Sequence, residues 1–172
     1  MQRQMELQGL IRYGEKVKLD AKDKKIVRIL EENARATIAD ISRKTGIQRD
    51  SVLYRINRMQ QQNVIRFFRT VLNPSLLGYD IYAVANYTLQ NRTHEKEQAF
   101  IHHLQMQPNV VYIAKVSGQW DFIVNIAAKN MLEFDNILSE IRIRFSDIIK
   151  DSQISSIIQE YKYDKMVDLI NL

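Results

Sequence analysis

A strongly basic run lies between residues 43 and 69 of this sequence. It holds seven Lys or Arg residues and one acid, Asp50, so its local charge is +6. This density favours binding to nucleic acid, because cations that neutralise phosphates release condensed counterions. On a domain without a polyanionic partner, the same charges would only repel one another. The pattern therefore predicts a DNA-binding surface with the cations Arg43, Lys44, Arg49, Arg55, Arg58, Arg66 and Arg69.

A helix over residues 49–61 would divide its side chains between two faces. Val52, Ile56 and Met59 recur at i, i+4 and i+7, the spacing of a buried stripe. The opposite stripe would face the major groove, where the first residues of a recognition helix lie near base edges. Arginine suits such a stripe because its guanidinium can donate two parallel hydrogen bonds to guanine. The expected groove-facing residues are Gln48, Arg49, Asp50, Ser51, Tyr54, Arg55 and Arg58.

Two further helices are predicted to support the recognition helix. The first begins after Asp20, a suitable N-cap residue, and Asp23 adds an acid to its first turn. The second covers about residues 37–44, and Gly46 follows where a chain leaving a helix often needs a positive φ. Asn63 is expected to end the third helix in the same left-handed conformation. Three helices with a glycine turn before the third predict a helix-turn-helix.

The second half of the chain differs from the first in charge and in period. Residues 1–72 carry 16 Lys/Arg against 8 Asp/Glu, and residues 73–172 carry 9 against 12. Residues 64–72 are β-prone and basic, which predicts a strand or wing beside the recognition helix. Residues 79–162 follow the order β-α-β-β-α-β, typical of a ferredoxin-like domain. The predicted fold is α+β, with an N-terminal extension at 1–18, a winged helix-turn-helix at 19–72, a linker at 73–78, the ferredoxin-like βαββαβ domain at 79–162 and a C-terminal tail at 163–172.

Several kinds of chemistry lack the residues that they need. The sequence has no cysteine, which excludes thiol nucleophiles, thiolate metal sites and disulfides. His94, His102 and His103 lack the i, i+4 spacing of a helical metal site, and we expect them to be solvated. No apolar run is long enough to span a bilayer, and the amino terminus lacks a signal-peptide core. We therefore expect a cytoplasmic protein that is not an enzyme and that binds neither a metal nor a membrane.

Four stretches of the sequence, in this order, resemble the Lrp/AsnC (feast/famine) transcription regulators of bacteria and archaea. They are "LDAKDKKIVRILEENARATIADIS", "SVLYRINRMQQQNVI", "LGYDIYAVANYTL" and "VVYIAKVSGQWDFIVNIAA". The resemblance covers about residues 19–162. It implies an N-terminal winged helix-turn-helix and a second domain that dimerises through its sheet, often assembles into octamers and binds an amino acid or similar effector between subunits. Matching the family's glycine and acid between the second and third strands implies an effector site at Gly118, Gln119, Trp120 and Asp121.

The sequence also departs from the residues that are usual in that family. Gln48 stands where a capping serine is usual, and Asn63 replaces a glycine. Ile154 occupies a strand position that is often threonine, and the Pro-Gly turn before the last strand is absent. The first two changes are compatible with DNA binding, whereas the last two alter the effector region.

Our main hypothesis is a sequence-specific transcription regulator that forms a homodimer, a tetramer or an octamer and responds to an amino acid or a related effector. The first alternative is an architectural protein that coats DNA, which would bind any duplex with similar affinity and a steep salt dependence. The second alternative is a metabolite-sensing module without DNA binding. A ligand response in the absence of DNA binding would identify it.

Overall fold

The computed structural model describes residue 11 and residues 13–170 of the chain. The chain divides into two units: the first contains residues up to 71 and again from 162, and the second contains residues 72–161. The chain thus leaves the first unit once and returns to it near the carboxyl terminus. The sequence pattern sets residues 163–172 apart as a tail and does not indicate this return.

Three α-helices build the described part of the first unit. Helix α1 spans Ala21–Glu32, α2 spans Ile38–Thr45 and α3 spans Arg49–Gln61. The Asp20 side chain accepts a hydrogen bond from the Asp23 backbone N–H, and the Asp23 carboxylate accepts one from the Asp20 backbone N–H. These reciprocal bonds satisfy two backbone donors at the start of α1. The predicted N-cap is therefore confirmed.

The turn between α2 and α3 depends on a left-handed residue. Gly46 ends α2 with a φ of 72°, a conformation that side chains with a Cβ rarely adopt. Its N–H donates to the Ser42 carbonyl, and the Ser42 hydroxyl donates to the Ile47 carbonyl at 2.6 Å. This turn brings together a shared apolar core, and the predicted helix-turn-helix is confirmed. The buried residues of that core are Ile26, Leu30, Ile41, Ile47, Val52, Ile56 and Met59.

Residues 64–72 contain no strand, and our prediction of a strand there was wrong. Asn63 does adopt the expected left-handed conformation after α3, with a φ of 57°. A strand needs a neighbouring strand to share its hydrogen bonds. The four strands of the described chain all lie within residues 81–156 and pair with one another. Without a partner strand, β propensity alone leaves residues 64–72 irregular.

The second unit is an antiparallel sheet of four strands with two α-helices. Its elements in chain order are β1 (Ile81–Leu89), α4 (His94–Met106), β2 (Val110–Lys115), β3 (Phe122–Ala128), α5 (Met131–Arg144) and β4 (Ile149–Ser156). The strands lie in the order β2-β3-β1-β4, and each neighbouring pair is antiparallel. In this register Ala85 of β1 lies between Val124 of β3 and Ile154 of β4. The predicted β-α-β-β-α-β order is confirmed.

One face of this sheet packs against the helices. Every second residue of β1 from Ala83 to Leu89 is buried, as the alternation in the sequence predicted. Phe100 of α4 makes T-shaped ring contacts with Tyr87 and Phe122, each with centroids 5.6 Å apart. The intervening β1 residues, such as Tyr82, point to the opposite face and are half-buried.

Candidate DNA-binding surface and effector loop

An ion-pair network joins two arginines of α3 to the start of α1. Arg55 Nη1 donates hydrogen bonds to Asp20 Oδ2 and Asp23 Oδ1, both at 2.7 Å. Arg58 Nη2 donates to Asp23 Oδ2 at 2.6 Å. The side chain of Asp23 is 1% exposed, whereas those of Arg55 and Arg58 are 16% and 31% exposed. Two arginines thus neutralise one buried carboxylate, as the burial of a charge requires.

This network also shifts the pKa values of Asp20 and Arg55. The hydrogen bond from the Asp23 backbone N–H, followed by the bond from Arg55, lowers the pKa of Asp20 to about 2. Hydrogen bonds to Asp20 and Asp23 raise the pKa of Arg55 above its usual value. Both shifts favour the charged forms. Asp20 and Arg55 therefore stay ionised at neutral pH, and their hydrogen bond holds α3 against α1.

These contacts correct the predicted groove-facing stripe. Arg55 and Arg58 flank the buried stripe of α3 and extend to Asp23, so they are not on the open face of the helix. Ser51 is likewise half-buried. Tyr54 is exposed as predicted, at 65%. Helical spacing places the flanking residues only approximately, and their acidic partners lie 32 to 35 positions earlier in the chain.

The exposed residues of α3 form a continuous stripe. They are Arg49, Asp50, Leu53, Tyr54, Asn57, Gln60 and Gln61. The sequence reasoning missed the leucine and the three amides, although the spacing of the amides relative to Tyr54 could have revealed them. An open cleft of about 280 Å³ lies at the carboxyl end of this stripe, and its lining is Asn57, Gln60, Gln61, Asn63, Ile65 and Arg66. Amide side chains carry a donor beside an acceptor, which matches the major-groove edge of adenine.

The residues before α3 supply further predicted contacts. Arg43 and Lys44, in the last turn of α2, are exposed. Arg43 pairs with Asp40 at 2.6 Å, and such an exposed pair contributes little stability. Gln48 precedes α3 without a side-chain capping hydrogen bond. The first backbone N–H groups of α3 therefore gain no partner from Gln48, and helix starts of this kind attract phosphate.

Two predicted cations lie in the irregular segment after α3. The guanidinium carbons of Arg66 and Arg69 lie 5.3 Å and 5.4 Å from the Phe67 ring centroid. Arg69 also lies 5.3 Å from the ring of Tyr163, in the segment that returns from the second unit. Contacts with a ring face position a guanidinium without neutralising its charge. These ring contacts hold both guanidinium groups beside Phe67, in the segment that follows α3.

The loop between β2 and β3 carries the four predicted effector residues. Gly118 has a φ of 126°, a conformation that favours glycine. The Gln119 carbonyl accepts a hydrogen bond from the Thr88 hydroxyl at 3.2 Å. Trp120 is half-buried, and Asp121 starts the return into β3. The loop is thus attached to β1, the strand beside it.

Asp121 makes most of that attachment. Its Oδ2 accepts a hydrogen bond from the Leu89 N–H at 2.7 Å, and its Oδ1 accepts one from Arg92 Nη1 at 2.6 Å. Its own N–H donates to the Tyr87 carbonyl at 2.9 Å. Arg92 is a partner of this loop that the sequence pattern did not indicate. It lies 29 positions before Asp121, and only the pairing of β1 with β3 brings the two together.

The residues that the structure describes contain no group of three or more His, Cys, Asp or Glu side chains arranged to hold a metal ion. We expected His103 to be solvated, and this prediction was wrong. The centroid of its ring lies 5.2 Å from that of Phe145, and burial lowers the pKa of His103. Among the described helices, none has both the length and the apolar content to cross a membrane.

Comparison with known proteins matches both units of the chain. Residues 19–60 match the AsnC-type helix-turn-helix domain, and residues 83–167 match the Lrp/AsnC ligand binding domain. The chain is 33% identical over 125 residues to the leucine-responsive regulatory protein of Rhizobium meliloti (strain 1021), a match that covers 73% of this chain and 80% of that protein. It is also 33% identical over 120 residues to an HTH-type transcriptional regulator of Pyrococcus furiosus, covering 70% and 78%.

Solved structures share the fold at lower sequence identity. An AsnC family transcriptional regulator from Agrobacterium tumefaciens has a TM-score of 0.74 at 23% identity, covering 84% of this chain and 94% of that chain. A transcriptional regulator from Neisseria meningitidis in complex with L-Met has a TM-score of 0.77 at 19% identity, covering 89% and 100%. The two domain models match in the order of the two units, and a relative that is 33% identical is covered over most of its length; this chain therefore belongs to the Lrp/AsnC family of DNA-binding transcription regulators.

Proposed function

We propose that this regulator reads its operator with the exposed stripe of α3. The observation that carries this proposal is the division of α3 between arginines paired with Asp23 and exposed residues centred on Tyr54 and Asn57. Asn57 can donate to and accept from adenine in the major groove, and the exposed Leu53 can contact a thymine methyl group. Arg49, at the start of α3, lies where a guanine contact is favoured.

The neighbouring cations would hold the phosphate backbone in this proposal. Arg43 and Lys44 precede the start of α3, and Arg66 and Arg69 follow its end. Gln48, directly before α3, would add an uncharged hydrogen-bond donor to a phosphate. Contacts of this kind set the register of the protein on the duplex but carry little sequence information. We therefore assign affinity and salt dependence to these residues, and base selection to the stripe.

A gel-shift titration against the protein's own upstream region, with a scrambled duplex of equal length, tests this assignment at two salt concentrations. We expect a preference for the native duplex that persists at the higher salt concentration. Asn57→Ala should weaken that preference by roughly 5- to 150-fold, because a bidentate base contact is worth about 1–3 kcal/mol. Asn136→Ala, which removes an exposed amide from α5, is the matched control. Equal loss on both duplexes would instead support an architectural, low-specificity protein.

We further propose that the protein works as a homo-oligomer. The segment 67–72 has no strand partner in the described chain, and it exposes the apolar side chains Phe67, Phe68, Val71 and Leu72. A second copy could cover these side chains and pair with the segment, and the half-buried sheet face around Tyr82 offers a further contact. A dimer would present two α3 helices to half-sites about one helical turn apart, roughly 34 Å.

Sedimentation equilibrium tests the oligomer. Phe68→Glu should shift the protein toward the monomer, since it places a charge in the proposed contact. Leu132→Glu makes a similar exchange of an exposed apolar side chain for a charge in the first turn of α5, outside the segment 67–72, and it serves as the control. A wild-type protein that is monomeric at micromolar concentration would contradict the proposal.

The effector that we propose is an α-amino acid bound at the loop from Gly118 to Asp121. Asp121 and Arg92 place a carboxylate and a guanidinium side by side, and these charges complement the ammonium and carboxylate of an amino acid. The name of the Rhizobium relative refers to leucine, and the Neisseria structure contains L-Met. These two amino acids are therefore the first probes.

Trp120 offers a direct readout, because it is the single tryptophan of the chain and lies in this loop. We expect L-leucine or L-methionine to change its fluorescence in a saturable way. Asp121→Asn should weaken that response, whereas Asp151→Asn, an exposed acid on β4, should leave it unchanged. No saturable change with either amino acid at millimolar concentration would contradict an effector of this class at this loop.

A further inference from the structure

The C-terminal segment of residues 162–170 is bound to the DNA-binding unit through a carboxylate. Glu31 lies in the last turn of α1, where the helix dipole disfavours a negative charge. Its carboxylate accepts hydrogen bonds from the backbone N–H groups of Met166, at 2.6 Å, and Val167, at 2.8 Å. These donors lie at the start of a short 3₁₀ helix, Val167–Leu169. Glu31 thus caps a segment that lies 135 positions later in the chain.

Two side-chain contacts add to this bond. Val167 is 2% exposed, although residues 158–166 before it are all exposed. A single buried valine between exposed neighbours indicates a specific binding position for this side chain in the first unit, which we call the seat of Val167. The ring of Tyr163 makes a cation–π contact with the guanidinium of Arg69. Between these contacts Asp164 has a φ of 33°, a strained conformation that persists only where its surroundings hold it.

The position of this segment in the chain gives the docking a consequence. The first connection between the units enters the sheet at the start of β1, and the second leaves it at the end of β4. Those two points are adjacent, since Ala83 pairs with Ser156 and the Ile157 N–H donates to the Tyr82 carbonyl at 2.8 Å. Docking at Glu31 therefore attaches β4 to α1 through the nine residues 157–165.

We propose that the surface formed by Glu31 and the seat of Val167 is a docking site for the protein's own C-terminal segment, and that docking there creates a second connection between the ligand-binding and DNA-binding domains. One connection lets two domains rotate independently, whereas two connections limit that rotation. A displacement of β4 would then be transmitted to α1 through this docked segment. This inference does not depend on which operator or effector the protein uses.

Hydrogen–deuterium exchange of the full-length protein tests the docking. Amides of residues 166 and 167 should exchange roughly ten- to a hundredfold faster in Glu31→Ala than in the wild type, the range expected when a hydrogen bond to a charged acceptor is lost. Glu32→Ala removes the neighbouring exposed acid from the same turn of α1 and should leave exchange unchanged. Val167→Ala should accelerate the same amides and keeps the test independent of α1. Fast exchange of these amides in the wild type would overturn the proposal.

Fluorescence anisotropy tests the second connection. The chain has no cysteine, so Lys44→Cys on the exposed side of α2 gives a single site for a thiol-reactive dye. In that background Glu31→Ala and Val167→Ala should each add a nanosecond component to the anisotropy decay, and Glu32→Ala should add none. If the variants speed up exchange at residues 166 and 167 but add no motion to the anisotropy decay, the segment docks without coupling the two domains. The proposal would then be wrong.

Discussion

The buried carboxylate of Asp23 gives the sharpest test of how the DNA-binding unit is held together. Replacing it in Asp23→Asn keeps the shape of the side chain but removes the charge that both Arg55 and Arg58 contact. The two arginines would then lie against α1 without a full partner. They point away from the proposed reading stripe, so the first effect should be on folding rather than on base contacts.

The size of the effect follows from the burial of the network. Removing one partner of a buried ion pair costs about 3–5 kcal/mol. Both arginines keep some contact with solvent and asparagine keeps one acceptor oxygen, so we expect the lower end, about 3 kcal/mol. In a domain of 60–100 residues, 1 kcal/mol lowers the melting temperature by about 4–8 °C. The melting temperature of the first unit should therefore fall by roughly 12–24 °C.

The free energy of unfolding of this unit can be measured by urea titration of the full-length protein, with hydrogen exchange of α3 peptides as the probe. Asp147→Asn is the control, because Asp147 pairs with Lys96 at 2.7 Å on the surface, where such a pair is worth less than about 1 kcal/mol. A loss below about 1 kcal/mol in Asp23→Asn would refute a stabilising role for the network. In a folded Arg58→Met variant, loss of operator preference would restore Arg58 as a base contact.

Three further predictions address single features of the structure. Gly46→Ala should lower the free energy of unfolding by about 1–2 kcal/mol in urea titrations, because the left-handed φ strains any residue with a Cβ even though the space around it is open. Because the pKa of Asp20 is lowered in the folded state, its contribution to stability is present above its unfolded pKa and is lost as the pH falls from about 4 toward 2. Acid titrations of Asp20→Asn should lack this loss of stability. Asp121→Ala should release the Leu89 N–H, and hydrogen exchange should then be faster at that amide but unchanged in α3.

Local patterns in the sequence determine the elements of this protein. The period of Val52, Ile56 and Met59 predicts one helix, and the alternation along β1 predicts one strand. Gly46 and Asn63 mark the left-handed ends of helices from their residue types alone. These signals act over a few residues, where helix and strand geometry dictate which side chains share a face. The order of the elements then led to both domain types.

The tertiary structure decides what the flanking and isolated residues do. Arg55 and Arg58 have the residue type and the approximate spacing of a base-reading stripe. Both instead bind Asp23, which lies 32 and 35 positions before them, and they therefore do not lie on the exposed face of α3. Arg92 meets Asp121 only through strand pairing, and Glu31 meets Val167 only because the chain returns to the first unit. Residues 64–72 show the converse, since strong β propensity without a partner strand forms no strand. Contacts between distant positions depend on how elements pack, and no local period in a single sequence records that packing.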